Sequence, residues 1–319
     1  MKLCIVIPAY NEEKTITSVI KRIPSQIKEV TNIEILVVDD GSTDKTIQVA
    51  KEIGAKVISH HYNMGVGGAF NTGLNKALEI GADIMVNIDA DGQFSPDEIP
   101  KLIAPIIEKN ADFVVGDRFS SKKDILQKPE GMSQIKYWGN QQMSRLISVL
   151  TGQHFNDVSC GFRAYSKEAM LRLNLMGKFT YTQETFLDLA NKGISISSIP
   201  VSVKYFSARR SRVAHNLWVY FYRTVNIIFR AYRDYRPLKF FTTLGLFPFF
   251  IGTISGVFTL IHFIRTGNFT PYKAVGLIGL YLVSVAFVLW IIGILADMFV
   301  RVRLYQEQIL YLEKKRQYE

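Results

Sequence analysis

Cysteine is scarce in this chain, in which Cys4 and Cys160 are the only two among 319 residues. Cys4 falls in an apolar run that reads as a core strand, so we do not expect the disulfide framework of a small secreted protein. A signal peptide is not expected either, because residues 3–7 already read as the first strand of a fold. The scarcity of cysteine and the early first strand both argue against a small secreted protein that is held together by disulfides.

Charge is almost absent from two long apolar runs, residues 240–264 and 274–300, where Asp297 is the only Asp, Glu, Lys or Arg. Each run exceeds the ~20 residues that cross a bilayer as a helix. A hairpin buried in a soluble core is the alternative, but core helices rarely run so long without charge. We therefore expect a two-helix anchor over residues 240–300 and a tail over residues 301–319.

Basic residues concentrate beside the first apolar run. The net charge is +10, and residues 204–239 contain nine lysines and arginines against Asp234 alone. Nucleic-acid binding would also require a basic surface, but a position beside a span favours anionic lipid or a lipid phosphate, and no nucleic-acid partner is predicted. Lys239, Arg301 and Arg303 flank the spans, so the positive-inside rule places the soluble domain and both termini on the cytoplasmic side of the cell membrane.

Apolar runs alternate with amphipathic segments in the first half of the chain. Strands are predicted at residues 3–8, 33–39, 56–59, 83–88 and 112–115, with helices between them. This alternation predicts an α/β domain over residues 1–203, with a mainly parallel sheet covered on both faces. The glycine-rich stretch 65–68 matches neither a dinucleotide fingerprint nor a phosphate-binding lysine loop, and close helix packing explains it better.

Acidic residues fall where predicted strands end. Asp89-Ala90-Asp91 follows a short, mostly apolar strand, and Asp39 and Asp40 follow another. Ligands of such sheets bind beyond the carboxyl ends of the strands, so these residues could meet in one crevice. Two carboxylates one residue apart suit a divalent cation whose shell is completed by diphosphate oxygens, and the cation would neutralise a leaving diphosphate. Such pairs are also common in ordinary loops.

Further polar residues could line the same crevice. Tyr10 could stack on a base, and Asp39 could accept a hydrogen bond from a base or ribose. The alternative is a pair of turns in which Asn11, and Ser42 or Thr43, cap the helices that follow.

An arginine and a polar turn follow later in the chain. Arg118 comes after a further predicted strand and could reach a diphosphate, or it could be a surface residue paired with Asp117. The polar turn at residues 157–163 could orient an acceptor. These signals are individually weak.

The segment 204–239 has two distinct faces if its centre is helical. The apolar face comprises Phe221, Val225, Ile228, Phe229 and Tyr232. The basic face comprises Arg223, Arg230 and Arg233. This pattern is typical of a helix in the plane of a membrane interface. Its arginines could hold a lipid phosphate, or they could contact anionic lipids without specificity.

Taken in order, these motifs resemble family-2 glycosyltransferases, which use nucleotide-activated sugars on a GT-A fold. The resemblance covers roughly residues 1–215 and is strongest to the polyprenyl-phosphate branch, which includes dolichyl-phosphate mannose synthases. It implies a GT-A domain followed by two C-terminal transmembrane helices. It also implies a UDP- or GDP-linked hexose donor, an undecaprenyl or dolichyl phosphate acceptor, and Mg²⁺ or Mn²⁺ as cofactor.

The resemblance implies roles for individual residues. The expected donor-binding residues are Pro8, Tyr10, Glu12, Asp39, Asp40, Asp89, Ala90, Asp91, Gln93, Arg118 and Arg212. The expected metal ligands are Asp89, Asp91 and Gln183. The expected catalytic residues are Asp91, Arg118, Gln183 and Arg210. The stretch 209–212 (Arg-Arg-Ser-Arg) resembles a Gly-x-Ser-Lys element that closes over donor and acceptor, with arginine in place of both the glycine and the lysine.

The expected reaction is a single displacement with inversion at the anomeric carbon. A phosphomonoester has a second pKa of about 6, so it arrives ionised and needs no general base. The protein then has to position it and to stabilise the leaving diphosphate.

Two alternatives to this reaction stay open. A glycosyltransferase with another lipid or polysaccharide acceptor is one, although a processive synthase would carry Gln-x-x-Arg-Trp, which none of the three tryptophans completes. An inactive membrane adaptor is the other, although it predicts the loss of acidic residues that are all present. Leu304, Ile309 and Leu312 in the tail could support a homo-oligomer.

Overall fold

The computed structural model describes residues 1–120, 127–175, 181–205, 229 and 232–318. The chain forms two compact units. Unit 1 comprises Met1–Arg210 and Leu310–Glu319, and unit 2 comprises Ser211–Ile309. The domain boundaries expected at residues 203, 239 and 300 stay predictions.

Strands and helices alternate along unit 1. Its strands are β1 (Lys2–Ala9), β2 (Asn32–Asp39), β3 (Lys56–Ser59), β4 (Ile84–Asn87), β5 (Phe113–Asp117), β6 (Arg163–Ser166) and β7 (Ile196–Pro200). Its helices are α1 (Ile16–Lys21), α2 (Thr46–Glu52), α3 (Val66–Glu79), α4 (Ile99–Ile107), α5 (Gln134–Thr151), α6 (Lys167–Arg172) and α7 (Tyr181–Asn191).

The seven strands in the described part of unit 1 form one mixed sheet, in the order β3-β2-β1-β4-β6-β5-β7. β1 runs parallel to β2 and β4, β2 to β3, and β5 to β7. β6 runs antiparallel to both of its neighbours, β4 and β5. The carboxyl ends of β1, β2 and β4 therefore share one edge, which is where the acidic residues were expected to meet.

Close packing of helices on the sheet explains why its centre is apolar on both faces. Side chains from Leu3 to Ile7 in β1 are wholly buried, as expected for a strand covered on both sides. α3 lies so close to β1 that a Cβ on Gly73 would come within 2.3 Å of Val6 Cγ1. Gly67 and Gly68 at the start of α3 are buried too, in agreement with the packing role predicted for this stretch.

Two long apolar helices make up the described part of unit 2. They are α8 (Pro237–Thr266), with a mean hydropathy of 2.0, and α9 (Lys273–Tyr318), with a mean hydropathy of 2.6. Both are long and apolar enough to cross a membrane. α9 has 46 residues, which at ~1.5 Å per residue gives a helix about 69 Å long. The tail expected over residues 301–319 is therefore a continuation of α9. Its residues from Leu310 onward belong to unit 1.

Candidate active site

The loops that follow β1 and β2 are joined by hydrogen bonds. The N–H of Asn11 donates to Ser42 Oγ over 2.8 Å, and the N–H of Glu12 donates to Thr46 Oγ1 over 2.8 Å. Asn11 Oδ1 in turn accepts from the Thr43 N–H over 2.8 Å. Asn11 adopts a φ of 56°, a left-handed conformation that asparagine tolerates better than most residues.

The expectation that Asn11, Ser42 or Thr43 caps a helix is wrong. The N-cap positions of α1 and α2 are Thr15 and Lys45, and neither side chain makes a capping hydrogen bond. The side chains at these strand ends instead connect the two loops to each other, which forms one continuous surface beyond the sheet.

Asp39 ends β2 and Asp40 follows it, and the two side chains are held by different partners. Asp39 is wholly buried, and its Oδ2 accepts from Ser59 Oγ over 2.8 Å. Asp40 accepts from the N–H groups of Met64 and Gly65 over 2.8 Å each, and its Oδ1 lies 2.9 Å from Nδ1 of His60. Asp40 therefore shapes the loop that leads into α3, and the donor-binding role expected for both aspartates stays a prediction.

Pro8, Tyr10 and Glu12 lie at or just beyond the end of β1. Pro8 pairs with Val38 inside the sheet, and Tyr10 follows the last residue of the strand. Glu12 Oε2 accepts from Thr15 Oγ1 over 2.9 Å. Desolvation and the Asp91 charge raise the pKa of Asp89, and the negative charge of Glu12 adds to this shift.

Asp89 and Asp91 follow β4, with the buried Ala90 between them. Asp91 Oδ1 accepts from the Gln93 N–H over 3.0 Å. The Asp89 carboxylate lies against Gly161, where a Cβ would come within 2.7 Å of Asp89 Oδ2. Desolvation and the neighbouring Asp91 charge raise the pKa of Asp89 to about 7, although Arg118 and Arg163 oppose this shift. Two crowded carboxylates of this kind are suited to a divalent cation, which would compensate their repulsion.

The donor set fits a cation that is shared with a ligand. Within the described ranges, no group of three or more His, Cys, Asp or Glu side chains is placed to hold a metal ion. Asp89 and Asp91 would thus supply two oxygens, and a diphosphate with water would supply the others. Gln183 lies in the first turn of α7, where its Oε1 accepts from Thr182 Oγ1 over 2.7 Å. Its role as a ligand stays a prediction.

Arg118 is buried and bound to Asp157. Its Nε and Nη2 donate to the two oxygens of the Asp157 carboxylate over 2.6 and 2.9 Å. Nη2 also donates to Ser159 Oγ, and Nη1 to Tyr205 Oη, over 3.2 Å each. Burial alone would lower the pKa of Arg118, but Asp157 raises it well above its usual value. The alternative of a surface arginine paired with Asp117 is wrong.

Lys136 is a cation near this site that the sequence analysis did not identify. It lies in the first turn of α5, with its Nζ 5.1 Å from the centroid of the Tyr205 ring. Burial and Arg118 lower the pKa of Lys136, whereas Asp91 and Asp157 raise it. Tyr205 thus contacts both Lys136 and Arg118. No local pattern distinguishes Lys136 from a solvated lysine on a helix, so only the fold reveals it.

The chain beyond β7 returns past the acidic motif. The Lys204 N–H donates to the Gln93 carbonyl over 2.9 Å, and Phe94 forms a bridge with Val203. Tyr205 follows and contacts Arg118 and Lys136. The expected site residues Arg210 and Arg212 lie outside the described residues, together with Arg209, Arg223 and Arg230.

Comparison with known families decides which class of protein this site belongs to. The profile of Glycosyl transferase family 2 matches residues 4–173, just over half of the chain. The chain belongs to glycosyltransferase family 2. Its expected identity as a glycosyltransferase is thereby confirmed.

Relatives of this glycosyltransferase act on polyprenyl phosphates. The UDP-N-acetylglucosamine–dolichyl-phosphate N-acetylglucosaminyltransferase of Methanococcus voltae is 38% identical over 221 residues, covering 63% of this chain and 85% of the relative. The undecaprenyl-phosphate mannosyltransferase of Micrococcus luteus is 28% identical, covering 55% and 70%. The undecaprenyl-phosphate 4-deoxy-4-formamido-L-arabinose transferase of Photorhabdus laumondii is 25% identical over 311 residues, covering 88% of each chain.

A solved structure confirms the fold of the glycosyltransferase. Glucosyl-3-phosphoglycerate synthase from Mycobacterium tuberculosis, in complex with Mn²⁺, UDP and glucosyl-3-phosphoglycerate, superposes with a TM-score of 0.53 at 22% identity. The match covers 72% of this chain and 78% of that chain. The expected GT-A fold is confirmed, with the mixed sheet described above and two apolar C-terminal helices that could span a membrane.

Proposed function

We propose that this glycosyltransferase transfers a hexose from a nucleotide-sugar to a polyprenyl phosphate at a membrane, with inversion and with a divalent cation. The observation that carries the proposal is the position of Gly161 against the Asp89 carboxylate, at the end of the segment whose Asp157 binds Arg118, in a chain that also has two apolar helices of membrane length. Relatives named for transfer to dolichyl and undecaprenyl phosphates support the choice of acceptor.

The nucleotide would lie on the joined loops beyond β1 and β2. Tyr10 and Asp39 flank this surface, and the acidic motif begins beside it. We propose UDP-N-acetylglucosamine as the first donor to test, because a relative with 38% identity is named for that donor. GDP-mannose is the second, since other relatives are named as mannosyltransferases or a phosphomannose synthase.

Asp89 and Asp91 would hold Mg²⁺ or Mn²⁺ together with the donor diphosphate. The cation supplies positive charge against the charge that develops on the leaving diphosphate. The protein contributes the geometry: Gly161 lies against one carboxylate, and the Gln93 N–H holds the other. Solved Mn²⁺ and Mg²⁺ complexes of a protein with the same fold support this choice of cation.

The acceptor phosphate would approach the cationic side of the site. Arg118 and Lys136 lie there, and Tyr205 contacts both. An ionised phosphate oxygen then forms the bond to the anomeric carbon while the bond to the nucleoside diphosphate breaks. No proton has to leave the nucleophile, so positioning and charge stabilisation are the main tasks of the protein.

The two apolar helices would anchor the catalytic domain to the membrane. The chain leaves unit 1 before α8 and rejoins it at Leu310, which agrees with an even number of spans between the catalytic domain and the tail. Basic residues flank the start of the first span and the end of the second. They favour the cytoplasmic side of the membrane for both the catalytic domain and the tail. Self-association through the tail stays a prediction.

The test is sugar transfer to polyprenyl phosphate by the purified full chain in detergent. Labelled UDP-N-acetylglucosamine, GDP-mannose and UDP-glucose are supplied with Mn²⁺, and lipid-extractable label is counted. We expect product from one donor, with the anomeric configuration inverted. Product should disappear with a chelator and fall at least ~100-fold in Asp91→Ala.

A matched control uses an aspartate outside the site. Asp97 is exposed and pairs with Arg22, so Asp97→Asn should retain full transfer. A folded protein that makes no lipid product from any of these donors would contradict the proposed acceptor. Label transferred to a polysaccharide, or to a lipid without phosphate, would support the alternative acceptors.

A further inference from the structure

A buried arginine beneath the site has no part in the mechanism described above. Arg163 begins β6 and is wholly buried. Its guanidinium lies 5.7, 5.7 and 5.1 Å from the ring centroids of Phe113, Tyr181 and Phe186. Burial of a guanidinium without a carboxylate partner is costly, so such a group needs compensating hydrogen bonds.

Two side-chain hydrogen bonds of Arg163 go to one turn. Its Nε donates to the Cys160 carbonyl over 2.6 Å, and its Nη2 donates to the Val158 carbonyl over 3.1 Å. The planar guanidinium thus spans two carbonyls of the turn 157–161 at a fixed separation. A lysine ammonium cannot reproduce this fork, because it is a compact point charge on a flexible stem.

The same turn contacts both the acidic and the cationic side of the proposed active site. Asp157 and Ser159 bind the guanidinium of Arg118. Gly161, at the other end of the turn, lies against the carboxylate of Asp89. The turn therefore connects the cationic and the acidic side of the site within five residues.

We propose that Arg163 is a positioning residue, which fixes the turn 157–161 and through it sets both the Asp89 carboxylate and the Arg118 guanidinium. The inference rests on the proposed metal-dependent donor site. It assigns to Arg163 an effect on cation and donor binding, without contact to either.

The test compares Arg163→Lys and Arg163→Met with the same changes of an arginine away from the site. Arg172 lies in α6 and pairs with Glu168. Arg172→Lys and Arg172→Met should therefore leave binding and transfer unchanged. Mn²⁺ affinity is measured by electron paramagnetic resonance on the purified full chain, and KM for the donor and kcat are measured with the donor that transfers.

We expect both Arg163 variants to lose Mn²⁺ affinity and to raise the donor KM by about 10–100-fold, as is typical when a residue that supports metal ligands is replaced. A merely structural role would lower the thermal midpoint while the folded fraction kept its Mn²⁺ affinity and KM. Unchanged affinity and KM in folded Arg163→Lys would overturn the proposal.

A second variant tests the turn even if the Arg163 variants fail to fold. Gly161→Ala retains Arg163, but its new Cβ would press on Asp89 Oδ2. We expect a loss of Mn²⁺ affinity of similar size. Normal affinity in this variant would overturn the inference, because the turn would then not set Asp89. If the wild-type chain itself binds no Mn²⁺, the proposed metal site fails, and the inference fails with it.

Discussion

Asp89 is the residue whose charge state depends most visibly on its surroundings. Desolvation and Asp91 raise the pKa of Asp89 to about 7, against about 3.9 in an unfolded chain. The protonated form is thus favoured by folding. Its stabilising contribution is complete below pH ~4 and is lost as the pH rises through 7. A cation that binds the carboxylate has to displace this proton.

We therefore predict that Mn²⁺ affinity increases with pH. Below pH 7 one proton should be released per bound ion, so affinity should rise about tenfold per pH unit between pH 5.5 and 6.5 and level off above pH ~7.5. Electron paramagnetic resonance titrations at four pH values would measure this. Asp89→Asn should lose most of the affinity and the slope together. A wild-type affinity that is flat from pH 5.5 to 7.5 would contradict the assignment.

Arg118 shows which part of a site a sequence can reveal. Its position after β5 was predictable from an apolar run, and so was its proximity to the other strand ends. Its partner was not, since Asp157 lies 39 residues further along the chain and local patterns do not encode such pairings. Lys136 was missed for the same reason: it belongs to the site only because α5 begins beside Arg118 and Tyr205.

At the scale of elements, the buried parallel strands of the first half of the chain were predictable. The strands β6 and β7, which follow later in the sequence, were not. The predicted strands 3–8, 33–39 and 56–59 agree with β1, β2 and β3 to within one or two residues. β6 has four residues, and β7 alternates little and includes two serines. Both become strands because they pair across the sheet with β5, and strand propensity depends strongly on such context.

The end of α9 packs on α6 within unit 1. Tyr311 Oη donates to Glu168 Oε2 over 3.0 Å, and the Arg172 guanidinium lies 4.7 Å from the Tyr311 ring centroid. Lys314 Nζ donates to Asn174 Oδ1 over 2.8 Å. α6 has only six residues, too few for a stable helix without tertiary contacts.

We predict that removing residues 310–319 loosens α6. Amide hydrogen exchange over residues 167–174, measured by mass spectrometry, should become at least ~10-fold faster, because local opening then costs less free energy. Tyr311→Ala should give a smaller increase in the same amides. Gln317→Ala is the matched control, since this tail residue is exposed. Equal protection of these amides in all four proteins would show that the tail does not support α6.

At the scale of the whole molecule, unit 2 depends on small residues that recur every seven positions. The buried small residues are Gly245, Gly252 and Thr259 on α8 and Gly279, Ala286 and Gly293 on α9. Lipid chains are as apolar as leucine, so helices in a membrane associate through close packing and not through hydrophobic burial. The length of the two apolar runs predicted two spans. The contact surface between the two helices, here called the seam, is visible only in the structure, where the helices are paired.

Enlarging one glycine of this seam should therefore separate the two helices. A Cβ on Gly252 would come within 2.6 Å of the Gly279 carbonyl oxygen, so we predict that Gly252→Leu costs about 1–3 kcal/mol and lowers the thermal midpoint of the full chain in detergent. Gly256 lies one turn further along α8, where a Cβ would meet nothing within 4 Å. Gly256→Leu adds the same volume and should leave the midpoint unchanged. Equal shifts of the thermal midpoint in both variants would mean that the stability is lost through the added leucine itself and not through separation of the two helices.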